Sequence, residues 1–76
     1  MEFLNLYEWV QTVTPDMLPA APFAASDGVT VLDSGLWLES VQAEARCGPA
    51  GPRAKYGAIQ ADMRRIYELT TIPGSG

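Results

Sequence analysis

The side chains that could do chemistry here are few: the chain has no histidine and a single cysteine, Cys47. Without imidazole, the group that exchanges protons most readily near neutral pH is missing, and so is the commonest metal ligand. Ser-His-Asp and Cys-His catalysis are excluded, and one thiol with dispersed carboxylates is not a zinc ligand set. Cys47 has Arg46 beside it, which favours the thiolate. It also precedes Gly48 at a helix C-terminus, where the dipole opposes that charge, so an inert or half-buried thiol is expected.

Carboxylate pairs fare no better. Glu39 and Glu44 are five residues apart and point about 140° away from each other around a helix. Asp27 and Asp33 flank a short apolar run and read as turn and cap residues. The stretch Gly48-Pro-Ala-Gly-Pro-Arg-Ala-Lys55 has the glycines of a phosphate-binding loop, but a Lys-Ser/Thr pair does not follow the second glycine, and Pro49 and Pro52 remove amide donors. What survives is Arg53 and Lys55 at a helix start, where the dipole favours an anion. No cofactor and no metal is expected, and the chain reads as non-enzymatic.

Charge is more informative than chemistry. The net charge is −4, but residues 1–45 carry seven acidic side chains and no cation, whereas residues 46–76 carry five cations against Asp62 and Glu68. The first half is therefore −7 and the second +3. Glu2, Glu8, Asp16, Glu39 and Glu44 are the candidate contacts for a cationic partner, and Arg53, Lys55, Arg64 and Arg65 for an anionic one. With Tyr56 interleaved, the cations sketch a nucleic-acid face, yet they are few and the acidic half opposes such binding, so nucleic acid is the minor alternative.

The elements that must position these residues follow from periodicity. Phe3, Leu6, Tyr7, Val10 and Val13 recur three and four apart, predicting an amphipathic helix over 2–13. Thr14-Pro15 begins a single turn that ends before Pro19. Residues 19–28 form a Pro-rich extended connection anchored by Phe23 and ending in the Asp27-Gly28 turn. Val29–Leu32 has strand character but no evident partner, so it pairs within an assembly or stays irregular. Asp33 and Ser34 offer caps for a second helix carrying Trp37, Leu38, Val41 and Ala45, which Gly48 and Pro49 close. Beyond a loop at 48–53, Tyr56, Ile59, Met63, Ile66 and Thr70 define the strongest helix, with Asp62–Arg65 and Arg64–Glu68 pairs on its polar side. Gly57 weakens its first turn.

The fold class expected is mainly α: one small three-helix domain over 1–69 with a flexible tail at 70–76. In 76 residues, burial barely exceeds the ordering entropy, and with neither disulfide nor metal the remaining source of stability is assembly, for which Tyr56, Ile59, Met63 and Ile66 are the candidate stripe. The lone thiol and the lack of a leader or a membrane-length apolar run point to the cytoplasm. The function expected is protein binding by a small acidic inhibitor or adaptor, by analogy of size and charge with those of phages and mobile elements. The alternative is a structural subunit of a symmetric assembly such as a phage particle.

Overall fold

The computed structural model describes residues 5–71, and within them the chain is mainly helical. Asn5 has an extended backbone and its Oδ1 accepts from the amides of Tyr7 and Glu8 at 3.0 and 3.3 Å, so the first helix starts after it. α1 spans Leu6–Trp9 and tightens into a 3-10 turn at Val10–Thr12. This is shorter than the helix predicted over 2–13, because Asn5 acts as a cap; Glu2 and Phe3 lie outside the described residues. A second 3-10 turn, Pro15–Met17, follows.

The connection after Pro19 is half of a hairpin. β1 (Phe23–Ala24) pairs antiparallel with β2 (Thr30–Val31), Phe23 opposite Val31 and Ala24 opposite Thr30. The strand expected at 29–32 thus finds its partner in its own chain rather than across an assembly. The loop between the strands is closed by the Ala25 amide donating to the Val29 carbonyl at 2.8 Å, and by the Val29 amide donating to Asp27 Oδ1 at 3.0 Å. Gly28 takes the left-handed conformation there.

α2 (Ser34–Ala45) is capped by Asp33, whose Oδ1 accepts from the Leu36 amide at 3.1 Å. The loop beyond is two 3-10 turns, Gly48–Ala50 and Pro52–Tyr56. Gly51 between them is buried, and a Cβ there would stand 3.2 Å from that of Cys47, so glycine lets the loop lie close on the end of α2. Gly57, at φ +74°, ends the second turn, and α3 (Ala58–Thr71) begins after it. This break removes Tyr56 from the helix stripe and leaves it 86% exposed. Thr70 and Thr71, expected in the tail, belong to α3, and residues 72–76 lie outside the described residues.

One aliphatic core joins these elements. Val10 and Val13 pack with Leu18, with Leu38, Val41 and Ala45 of α2, and with Ile59, Met63 and Ile66 of α3. Three of the four residues expected to drive self-association, Ile59, Met63 and Ile66, are therefore consumed inside the chain, because the same spacing serves an internal core. Edge-to-face ring pairs add Trp9 against Tyr67 and Phe23 against Trp37, each with centroids 5.3 Å apart. No helix among the described residues is long and apolar enough to cross a membrane.

Gln42 holds the first segment to α2. Its Nε2 donates to the Val10 and Val13 carbonyls at 2.9 Å each, and Gln11 Nε2 donates back to the Gln42 carbonyl at 3.0 Å. The Val10 carbonyl also accepts from the Val13 amide at 3.2 Å, whereas the Val13 carbonyl lies past the end of the 3-10 stretch and takes its donor from Gln42. Gln42→Ala should destabilise the protein by about 1–3 kcal/mol in urea unfolding, the cost of removing the donor to the Val13 carbonyl and the second donor to that of Val10; a change below about 0.5 kcal/mol would show that the amide is dispensable.

Candidate functional site

The predicted contact residues divide into two groups, and burial decides which. Asp62 borders the α3 stripe of Ile59, Met63 and Ile66 and is only 5% exposed. A carboxylate so placed needs partners. Ser26 Oγ donates to its Oδ1 at 2.7 Å, and Arg53 Nη2 donates to its Oδ2. Arg53 Nη1 donates to Glu44 of α2. Burial disfavours the Arg53 cation, but the hydrogen bonds and charges of Asp62 and Glu44 outweigh it and hold the guanidinium above its ordinary range.

Arg53 and Glu44 are thus engaged inside the molecule rather than presented to a partner. The pairing expected between Asp62 and Arg65 does not form, because Asp62 faces the core. Arg65 instead donates from Nε to the Ala24 carbonyl at 3.0 Å, docking the hairpin, and lies 3.4 Å from Glu68, which takes the place of the expected Arg64–Glu68 pair. Lys55, Arg64 and Tyr56 remain exposed. Arg64 lines a cleft of about 780 Å³ between α1, the hairpin and α3, where Gln60 Nε2 donates to the Tyr7 hydroxyl at 3.1 Å. A smaller hollow of about 260 Å³ lies under the loop after α2, with the Cys47 thiol free and exposed at its edge.

Glu8, Asp16 and Glu39 are exposed, and Glu2 lies outside the described residues. Hydrogen bonds from the Thr14 side chain and from its own backbone amide lower the pKa of Asp16 from its ordinary value, so its charge persists to lower pH. Between the Pro15–Met17 turn and the start of α2 runs a groove of about 410 Å³, lined by Pro15, Asp33, Gly35, Leu36, Glu39 and Gln42 along with Leu38. Leu36 is 65% exposed on it, and Leu32, next to Asp33 in the chain, is 80% exposed.

Leu32 and Leu36 escaped the sequence reading, although a signal was there for Leu36. It stands two residues before buried Leu38, about 200° around the helix, and so on the opposite face. Among the described residues no cluster of three or more Cys, Asp or Glu side chains is arranged to hold a metal ion. The groove can bury aliphatic surface and offer negative charge. Comparison with protein-family models, curated proteins and solved structures finds no match to this chain.

Replacing Arg53 by Met should cost roughly 3 kcal/mol, because it leaves Asp62 buried without its cation. Adding Asp62→Asn to that variant should restore part of the loss. Equal stability of wild type and Arg53→Met by urea unfolding would show that the buried pair contributes nothing.

Proposed function

We propose that this chain is a small, non-enzymatic acidic interaction protein that occupies a surface of a larger complex in the cytoplasm, as an inhibitor or adaptor. The observation that carries this reading is the face at the start of α2, where Leu32 and Leu36 are exposed beside Asp33 and Glu39. Exposed leucines at the entry of a helix add little to the core and can be buried against another surface. Lone exposed apolar side chains are common, so the weight lies in Leu36 lining a groove together with Asp33 and Glu39, with exposed Leu32 next to Asp33 in the chain.

The alternative, a subunit of a symmetric assembly, draws on the strand at 29–32, the stripe of the last helix and the tail; the strand pairs with β1, Ile59, Met63 and Ile66 lie in the core while Tyr56 is exposed, and residues 72–76 lie outside the described residues. The nucleic-acid reading keeps only Lys55, Tyr56 and Arg64 as exposed members of its basic set, with Arg53 and Arg65 engaged internally.

Pull-down from the native cytoplasm compares wild type with Leu32→Ser/Leu36→Ser. The double variant should lose the retained partner while its urea stability changes by less than about 1 kcal/mol, since neither side chain is in the core. Retention of the same partner by both proteins would remove this face from the function. High salt should weaken retention by wild type, as expected for a contact with an electrostatic share.

A further inference from the structure

We infer that the groove between the Pro15–Met17 turn and α2 receives a cationic, apolar-anchored segment of another protein, with a large aliphatic or aromatic side chain seated against Leu36 and Pro15 and lysines or arginines meeting Asp16, Asp33 and Glu39. This inference rests on the reading of the chain as an interaction protein and gives the partner its chemistry.

Charge complementarity selects the occupant. The groove lining includes Asp33 and Glu39 and no Lys or Arg. Asp16 adjoins Pro15 in the chain, and the whole of residues 1–45 contains no cation. A ligand that covered Leu36 without bringing positive charge would take Asp33 and Glu39 out of water uncompensated, which is unfavourable. A ligand that brought only charge would leave Leu32 and Leu36 facing water. Both requirements are met by one kind of segment, an apolar anchor flanked by Lys or Arg.

The same sign argument sets aside the other large classes. Phosphate backbones and anionic lipid headgroups are repelled by this face. A second copy of the chain would have to reach the groove with Arg46, Lys55 or Arg64, the exposed cations among the described residues.

The test is ¹H–¹⁵N shift mapping of the full chain titrated with a synthetic amphipathic helix of leucine and lysine, with a matched leucine–glutamate peptide as its counterpart. Shifts should concentrate at Asp16, Met17 and the first turns of α2, and the glutamate peptide should produce none. Leu36→Ser and Glu39→Lys should each weaken the lysine peptide about tenfold, a size expected for an anchor or a facing charge, whereas Arg64→Ala should leave it unchanged. The inference is overturned by equal binding of both peptides, by shifts centred on Tyr7 and Arg64, by unchanged binding to Leu36→Ser, by an oligonucleotide shifting the same amides, or by shifts at Leu36 that grow on concentrating the protein alone. If the lysine peptide fails while Leu32→Ser/Leu36→Ser still loses the partner in the pull-down, the face is an interface for a non-cationic partner; if both fail, the proposed function falls with the inference.

Discussion

A single guanidinium ties together segments that have no covalent reason to meet. Arg53 lies in a loop built from Gly48, Pro49, Gly51 and Pro52, and reaches Glu44 on α2 and Asp62 on α3, while Asp62 also accepts from Ser26 in the hairpin loop. Four stretches of chain therefore share one node. With a single cysteine and no histidine, neither a disulfide nor a histidine-ligated metal is available to fasten them. A buried carboxylate without its cation is costly, so the arrangement penalises any fold in which the loop drifts from the helices. Gly51 makes the approach possible by carrying no Cβ where the loop crosses the end of α2.

Around that node the interior closes on itself. Gln42 supplies donors to the Val10 and Val13 carbonyls, Arg65 supplies one to the hairpin at Ala24, and the aliphatic residues of three segments fill the space between. No buried side-chain nitrogen or oxygen among the described residues is left without a hydrogen-bond partner. What remains outside this closed interior is then informative. Leu32 and Leu36 are surplus to the core, and the carboxylates near them are surplus to the node. The proposed function grows from that separation between groups used inside and groups left at the groove.

Much of this was legible from local rules. The stripe Ile59, Met63, Ile66 predicts α3, and Asp33 and the Gly48-Pro49 stop bound α2, because periodicity, caps and breakers act within a few residues. The parts that were not legible depend on distant pairing. Phe23–Ala24 is a strand only because Thr30–Val31 folds back on it, and Pro22 before it suggested a connection instead. Asp62 was matched to Arg65 by helical spacing, whereas its place beside Ile59, Met63 and Ile66 already marked it as a core position. That it would find Arg53, nine residues away across Gly57, needed the three-dimensional fold. Of the contact residues, Glu39 lines the groove and Asp16 is exposed next to Pro15 in the chain, Arg53 and Glu44 hold each other, and the exposed Leu32 and Leu36 stand in a run that reads as a strand and a helix start.

The account holds that one chain completes its own fold and that the acidic, leucine-bearing face is free for a different molecule. Scanning calorimetry over a wide range of protein concentration tests this most directly, since folding coupled to assembly makes the midpoint depend on concentration. A melting temperature that stays constant from dilute to concentrated protein is the predicted result. A midpoint that climbs with concentration would mean that copies of the chain stabilise one another, and would contradict the account.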